Sequence, residues 1–402
     1  MPEFDIVLYG ATGFTGRQAA RTLAERAPAS LRWAVAGRNA EKLEAIAQEV
    51  GASGAIVADS AHPDSIRDMA QKTRVLATTA GPFSRLGTPI VKACVENEVD
   101  YVDITGETPW VHDLIDSYHE RASRSGTRIV PMCGFDSVPS DLGALWVARH
   151  LRREHGEGTR RVSASYRLRG GLNGGTLATM LSMAENAELR RAVADPLLLN
   201  PPSARDGDSA PPDRRRASFD GDRQAWLTPF FMAPINTRVV RRSAALFADY
   251  GAPYGDAFCY EEALETSRRG KAYAVAALSG AMFSAAKTRA GRAALAKLGP
   301  APGQGPSPKT MERGFFAARF VGESDRGRKV MATLSCRGDP ANYVTVTILC
   351  EAALLLAQTP RNDLPGGSGR GGLLTPATGL GLPLLDRLRA AGFETDIDAP
   401  KT

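Results

Sequence analysis

Three glycines with the spacing G-x-x-G-x-x-G stand directly after a short apolar run near the start of the chain. The stretch YGATGFTG covers residues 9–16 and follows the run FDIVL. Only glycine lets the backbone turn tightly from a strand into a helix and approach a pyrophosphate closely, and the first-turn N–H groups of the helix then bind the phosphates. The pattern predicts a dinucleotide-binding loop, and a structural turn without a ligand is the alternative. The predicted contacts are Gly10, Thr12, Gly13, Phe14, Thr15 and Gly16.

The residues at the end of the second predicted strand decide between NAD and NADP. An NAD site usually has an Asp or Glu there, which bonds the 2′-hydroxyl of the ribose. This chain has AVAGRN at residues 34–39, which puts Arg38 at that place. Because a guanidinium can bind a 2′-phosphate bidentately, the predicted cofactor is NADP(H). Asn39 could serve either nucleotide, and the alternative for Arg38 is a solvated surface arginine.

Two further strand ends extend the predicted cofactor site. Asp59 ends the third strand, where its carboxylate could reach the adenine amino group or cap a turn. The fourth strand ends in AGPF, at the sheet edge where the nicotinamide should lie. The contacts predicted there are Ala80, Gly81, Pro82 and Phe83, with Gly81 permitting close backbone approach and Phe83 packing beside the ring.

Two clusters of polar residues and glycine also end apolar strands. They are DITGE at 103–107, which includes Gly106 as a further cofactor contact, and CGFDSVPSD at 133–141. Both should project from the same carboxyl edge as the phosphate loop, where ligands bind in open α/β sheets. They therefore predict a catalytic pocket that contains Asp136 and Ser137. The alternative is helix N-capping by Asp136, Ser137, Ser140 or Asp141.

The hydrophobic pattern predicts an α/β fold with a second domain. In the first 135 residues, short apolar strands alternate with amphipathic helices, which favours βαβ units and a parallel sheet. After residue 138, alternating runs at 161–169, 314–322 and 328–336 predict a mixed or antiparallel sheet with helices around 176–193 and 272–298. The stretch 200–223 is rich in Pro, Ser, Asp and Arg and predicts a mobile surface loop.

The composition of the chain limits the classes of function that it can have. The chain has 402 residues, 43% of them hydrophobic, and its net charge of +6 arises from 50 basic and 44 acidic residues. This balance gives no strong nucleic-acid signal. The five cysteines and five histidines show no metal-binding spacing, so no metal site is expected, and the N-terminus shows no secretory signal. A cytoplasmic location is expected.

Motifs spread over nearly the whole chain resemble the saccharopine dehydrogenase-like oxidoreductases, and within that group the trans-acting enoyl reductases. They are IVLYGATGFTG, the AGR after the second strand, TTAGPF, DITGE, GFDSVPSD, NGGTLAT, INTRVVRRS and GGLLTPATGLGLPLLDRLRAAGF. The resemblance implies a Rossmann domain at 1–138, a substrate domain at 139–337, and C-terminal helices at 338–402 that return to the Rossmann domain. It also implies NADP(H) and hydride transfer.

Two reactions fit this resemblance. The enoyl reductases of the group act in trans on unsaturated chains of a polyketide synthase during synthesis of long-chain lipids such as phthiocerol dimycocerosates. The lysine-pathway members join or split an amino acid and a keto acid, which needs cations for the substrate carboxylates. Arg169, Arg238, Arg241 and Arg242 could supply them, although RVVRRS could equally be a solvated edge. A third reading is a nucleotide-binding protein without turnover.

For an enoyl thioester, the enzyme must stabilise an enolate oxygen and supply a proton to the α-carbon. Backbone N–H groups near Gly134–Phe135 or the Ser137 hydroxyl could bind the oxygen, and Tyr101, Tyr166 or water could supply the proton. The segment 272–286 has fifteen residues without a charge and is followed by basic residues. It predicts either a buried helix or an interfacial helix that makes peripheral membrane contact through 272–298.

Overall fold

The computed structural model describes residues 2–171, 174–205, 210–300 and 305–398. Its strands, in chain order, are β1 (Phe4–Tyr9), β2 (Trp33–Gly37), β3 (Gly54–Val57), β4 (Thr73–Thr78), β5 (Asp100–Asp103), β6 (Arg128–Val130), β7 (Thr159–Arg169), β8 (Ser218–Asp220), β9 (Ala225–Thr228), β10 (Cys259–Thr266), β11 (Phe315–Ser324), β12 (Lys329–Arg337), β13 (Gly372–Leu373) and β14 (Glu394–Asp398). Its α-helices are α1 (Phe14–Arg26), α2 (Ala40–Val50), α3 (Pro63–Gln71), α4 (Phe83–Leu86), α5 (Thr88–Glu96), α6 (Thr108–Ser125), α7 (Val138–His155), α8 (Gly174–Glu185), α9 (Ala187–Ala194), α10 (Ala233–Asp249), α11 (Arg269–Ala286), α12 (Arg289–Leu298), α13 (Pro308–Glu312), α14 (Thr345–Gln358), α15 (Pro376–Gly379) and α16 (Gly381–Ala390).

The chain divides into two units. The first is formed mainly by Met1–Phe135 and Ala341–Ala391, and the second mainly by Asp136–Pro302 and Pro306–Pro340, with the C-terminal Gly392–Thr402. The first unit holds a seven-stranded sheet of order β13-β6-β5-β4-β1-β2-β3, in which every pairing is parallel. All five residues of β2 and all four of β5 are buried, as expected for strands that helices cover on both faces. The predicted α/β fold with a Rossmann-type parallel sheet is confirmed.

The C-terminal part of the first unit is anchored by a buried arginine. The Arg128 side chain is fully buried, and its guanidinium donates to the carbonyls of Gly379 (2.8 Å), Pro365 (3.1 Å) and Gly367 (2.8 Å). A residue at the start of β6 therefore fixes backbone more than 230 positions later in the chain.

Helix α14 is the apolar core helix of this unit. The segment Pro340–Gln358 is the one stretch among the described residues that is long and apolar enough to cross a membrane, yet 89% of it is buried in protein. Its buried Glu351 accepts hydrogen bonds from Arg26 of α1 (3.2 Å) and Arg387 of α16 (2.7 Å). The carboxylate thus ties the C-terminal helices to the first helix of the sheet domain.

The second unit is built on a mixed seven-stranded sheet of order β14-β12-β11-β7-β10-β9-β8. Strands β7 and β10 pair in parallel, and the other neighbours are antiparallel. Helix α7 packs closely on this sheet at Gly143, where an added Cβ would lie 2.2 Å from the Phe320 ring. The predicted mixed-sheet second domain is confirmed.

Several local predictions differ from the structure. The stretch 200–223 was expected to be a surface loop, but its residues 218–220 form β8 and pair with β9, where the Phe219 and Trp226 rings pack edge to face across the pair. The helical region 272–298 is two helices, since α11 ends at Ala286 and Thr288 caps α12 by accepting from Gly291 N. The short strands β13 and β14 were not predicted, and β14 pairs with β12 of the second sheet.

We expect Arg128→Met to lower the free energy of unfolding by about 2–4 kcal/mol, because the substitution leaves three carbonyl groups without their buried donor. Urea unfolding followed by circular dichroism measures the change. The matched control is Arg124→Met, which removes an exposed arginine paired with an exposed glutamate and should cost less than about 0.5 kcal/mol. Equal effects of the two substitutions would show that Arg128 does not anchor the C-terminal segment.

Candidate functional site

The glycine-rich loop is held together by close backbone approach. Gly10 has a φ of +88°, a conformation that favours glycine, and its carbonyl accepts a hydrogen bond from Gly13 N (3.0 Å). A Cβ on Gly16 would lie 2.1 Å from the Gly10 carbonyl oxygen. Helix α1 can therefore start against the end of β1 only because residue 16 has no side chain.

The N-terminus of α1 provides donors for an anion. Its N-cap residue is Gly13, and in the part of the chain described here no side chain caps this end of the helix. Gly13 is exposed, while Thr12, Phe14 and Thr15 are half-buried around it. Uncapped first-turn N–H groups at the positive end of the helix dipole fit the phosphates of a dinucleotide.

Arg38 and Asn39 lie exposed between β2 and α2. Asn39 caps α2, since its Oδ1 accepts a hydrogen bond from Lys42 N (2.9 Å). Within the described ranges, the guanidinium of Arg38 forms no ion pair. Its positive charge acts on the pKa of the nearby Tyr9 hydroxyl without a hydrogen bond between them. The exposed guanidinium remains available for an anionic group.

Asp59 makes a turn. Its Oδ1 accepts from Ala61 N (3.0 Å), and its own N–H donates to Ser65 Oγ (3.0 Å). The neighbouring Ser60 N–H donates to the Tyr9 hydroxyl (3.2 Å), which links the ends of β1 and β3. The turn-capping alternative for Asp59 is thus present, and the carboxylate keeps partial exposure at the sheet edge.

The AGPF segment lies beside the glycine loop. A Cβ on Gly10 would lie 3.0 Å from the Cβ of Ala80, so Ala80 packs on the loop, while Gly81 is exposed and Pro82 half-buried. The Phe83 ring is buried and packs against Trp110, with ring centroids 5.8 Å apart. The exposed backbone of this segment, rather than the Phe83 ring, faces outward.

Glu107 holds this segment in place, a role that no local pattern in the sequence predicts. Its carboxylate accepts hydrogen bonds from Phe83 N (2.8 Å) and Ser84 N (3.1 Å), the first N–H groups of α4. A carboxylate that caps a helix from a different segment leaves no local signature, because the two positions are 24 residues apart. Gly106 lies half-buried immediately before it.

Asp103 joins the ends of β5 and β6. Its Oδ1 accepts from Thr105 N and Met132 N (2.9 Å each), and its Oδ2 accepts from the Tyr101 hydroxyl (2.8 Å). Burial raises the pKa of Asp103 to about 6, and it raises the pKa of Tyr101 well above its ordinary value. The structure therefore places Tyr101 in the interior, bonded to Asp103.

The GFDSVPSD cluster starts α7. Ser137 occupies the N-cap position but its side chain makes no capping bond, and its buried Oγ has no partner among the described residues. Burial raises the pKa of Asp136 to about 7. These two residues are the unexplained polar groups of the cluster, because Ser140 and Asp141 bond to other side chains of the second unit.

A buried polar network surrounds Glu262 in the second unit. Its carboxylate accepts from Ser140 Oγ (2.9 Å), Tyr260 (2.9 Å) and Asn236 Nδ2 (2.8 Å), and the Tyr166 hydroxyl lies 2.6 Å from Ser140 Oγ. Burial raises the pKa of Glu262 to about 7. Tyr166 is thus fully committed to an interior network.

The arginines of the RVVRRS stretch are buried, not solvated. Arg238 donates to the Asp213 carboxylate (2.6 Å) and to the carbonyl of Val193 (3.0 Å). Arg241 donates to the carbonyls of Pro196, Pro211 and Tyr260, and Arg242 donates to the carbonyl of Leu199. The solvated-edge alternative is wrong, because these side chains are buried and donate hydrogen bonds to the segments packed around α10.

Comparison with known proteins shows which proteins this chain is similar to. Residues 6–130 match the family model of the saccharopine dehydrogenase NADP binding domain. A Mycobacterium tuberculosis relative assigned to the trans-acting enoyl reductases is 38% identical over 97% of this chain and 96% of its own length. The trans-acting enoyl reductase of Mycobacterium ulcerans is 37% identical, with the same coverage.

The fold has a full-length counterpart among solved structures. The apo saccharopine dehydrogenase (L-Glu forming) from Saccharomyces cerevisiae superposes with a TM-score of 0.53 over 98% of this chain and 100% of its own, at 15% identity. At that identity the likeness shows the shared fold. The chain belongs to the saccharopine dehydrogenase-like family of NADP(H)-dependent oxidoreductases, together with the trans-acting enoyl reductases.

Proposed function

We propose that the protein is an NADPH-dependent enoyl reductase that acts in trans with a polyketide synthase. Its substrate would be a carrier-bound enoyl thioester of polyketide or lipid type, whose carbon–carbon double bond is reduced. The observation that carries the proposal is the 36–38% identity over 97% of the chain to proteins named as trans-acting enoyl reductases.

The first unit supplies the proposed cofactor site. The uncapped N-terminus of α1 would bind the pyrophosphate through Gly13, Phe14 and Thr15, and Arg38 would bind the 2′-phosphate. Bound NADPH supplies the hydride. The remaining proposed contacts are Gly10, Thr12, Gly16, Asn39, Asp59, Ala80, Gly81, Pro82, Phe83 and Gly106.

Asp136 and Ser137 are the proposed catalytic residues. A carboxylic acid with a pKa of about 7 is half protonated near neutral pH, which suits a group that gives one proton to the α-carbon. The unpartnered Ser137 hydroxyl can donate to the oxygen on which negative charge develops. Tyr101 is the weaker proton donor, because its hydroxyl proton is already shared with Asp103; its proposed part is to position that carboxylate.

The saccharopine-type alternative needs cations that are free to bind substrate carboxylates. Arg238, Arg241 and Arg242 are buried and donate to protein oxygens, so they cannot serve without breaking the interior. Of the four arginines considered, Arg169 is the one that is exposed, and a single cation is too few for two or three substrate carboxylates. This burial favours the enoyl substrate.

We also propose a cytoplasmic location with peripheral membrane contact through 272–298. The buried-helix alternative is not supported for α11, because Ala272 is its one buried residue. Such contact would be useful to an enzyme whose substrate is a lipid-type chain.

NADPH oxidation with a panel of substrates tests the reaction. We expect turnover with enoyl thioesters on carrier protein, rising with chain length, and none with saccharopine or with lysine plus 2-oxoglutarate. Turnover confined to the amino-acid substrates would favour the alternative reaction. NADPH binding without oxidation of any substrate would indicate a catalytically silent protein.

Two glycine substitutions separate packing from ligand approach in the loop. Gly16→Ala should lower both the melting temperature and NADPH affinity, because its Cβ collides with the Gly10 carbonyl. Gly13→Ala meets only ordinary contact at 3.4 Å, so it should keep the melting temperature while weakening NADPH binding by about tenfold or more. Fluorescence titration and thermal melts measure both. Unchanged NADPH affinity in Gly13→Ala would contradict the proposal that this loop binds the phosphates.

Arg38→Ala should weaken NADPH binding by about tenfold to a hundredfold, because a bidentate contact to the 2′-phosphate is lost. NADH binding should change little, since NADH lacks that phosphate. Arg38→Lys is the matched variant, which keeps the charge but not the planar fork and should fall between. An equal loss for both nucleotides would contradict the assignment.

A further inference from the structure

Helix α11 is an apolar helix that the second unit leaves largely exposed. From Ala272 to Ala286 the sequence has no charged residue, and Ala272 alone is buried in the helix. Its large apolar side chains are exposed, namely Tyr273 (50%), Leu278 (62%), Met282 (46%) and Phe283 (49%). We call these four residues the α11 surface. A helix that is apolar on all sides is normally buried in protein or in lipid, so this surface indicates a contact partner.

Aromatic rings collect where α11 begins. The rings of Phe219 and Trp226 lie 5.7 Å apart, and those of Trp226 and Tyr273 lie 5.8 Å apart. Phe219 and Tyr273 are exposed, and the Arg269 guanidinium lies over the rings of Trp226 and Tyr273. Amphipathic rings next to a cation are typical of side chains at the boundary between lipid headgroups and acyl chains.

Positively charged residues lie at both ends of the helix. Arg268, Arg269 and Lys271 are exposed before the uncharged stretch, and Lys287 and Arg289 are exposed after it. Between Glu265 and Glu312 the sequence contains no acidic residue. An apolar segment with cations at its two ends is complementary to a surface that combines acyl chains with negative headgroups.

The length of the segment decides how it would lie. Fifteen uncharged residues rise about 22 Å in a helix, less than the roughly 30 Å hydrocarbon core of a bilayer. A segment of this length would lie in the plane of a membrane interface and would not span the bilayer. A second copy of this chain is a poorer occupant, because a symmetric contact between two such helices would bring their cations together.

We infer that the α11 surface binds anionic phospholipid headgroups and the upper acyl region of a membrane. The inference deepens the proposed function and rests on it for its purpose, because a reductase of lipid-type chains would then work where its products accumulate. The physical basis is independent of the reaction.

Vesicle sedimentation with the full-length protein tests this contact. We expect the protein to sediment with phosphatidylcholine vesicles that contain phosphatidylglycerol, much less with phosphatidylcholine alone, and less as salt is raised. Leu278→Glu combined with Phe283→Glu should weaken the binding by about tenfold or more, and so should Lys287→Glu combined with Arg289→Glu. Both pairs are exposed, so NADPH affinity and the far-ultraviolet spectrum should match the wild type.

Val57→Glu is the matched control, since Val57 is an apolar residue of the first unit that is 56% exposed. It should leave vesicle binding unchanged. Equal sedimentation of all variants, or no sedimentation of the wild type, overturns the inference. A dimer in ultracentrifugation that Leu278→Glu dissociates, or binding of carrier protein in place of vesicles, overturns it as well.

Turnover of a soluble enoyl thioester without vesicles keeps the two proposals distinguishable. If vesicle binding fails while NADPH oxidation persists, the membrane contact alone is wrong. If vesicle binding holds while no enoyl substrate is reduced, the proposed reaction is wrong and the membrane contact stands.

Discussion

The start of helix α1 depends on the absence of a side chain at Gly16. The loops that follow β1 and β4, where we propose that the cofactor binds, depend in turn on where that helix starts. Any Cβ there would lie within 2.1 Å of the Gly10 carbonyl oxygen. The close approach fixes the loop between β1 and α1, and the loop in turn gives Ala80 its packing surface. Glu107 then holds the next residues by accepting from the first N–H groups of α4. Backbone contacts and one carboxylate thus determine the shape of these loops, which expose few side chains.

The Rossmann-type half of the fold was accessible from sequence because its signals are local. The six strands from Phe4 to Val130 are short apolar runs between amphipathic helices, which is the pattern that the sequence shows over its first 135 residues. The strands β13 and β14 were missed because each is held by a partner far away in sequence. Leu373 pairs with Ile129, and Ile397 pairs with Ala332, so neither depends on its own pattern.

The same distinction applies to the candidate site. The glycine loop and Arg38 could be proposed from the sequence because their residue types and spacing are typical of nucleotide-binding chemistry. The roles of Asp103, Glu107 and Glu262 were not readable, because each carboxylate bonds groups that the fold brings to it from other segments. Arginines were ambiguous for a related reason: Arg238 is buried by its contact with Asp213, which is 25 residues away and unremarkable in sequence.

The anchoring of the C-terminal part of the first unit by Arg128 has a consequence for biosynthesis. The first unit takes its edge strand and its core helix α14 from residues after 340, while the second unit takes β14 from the last residues of the chain. Domains that are contiguous in sequence can fold in turn as they leave the ribosome. Here the apolar faces of the first sheet stay uncovered until α14 has been synthesised, more than 200 residues after the end of β6. Chaperone dependence during expression, and failure of either unit as a simple truncated fragment, follow from this order of segments.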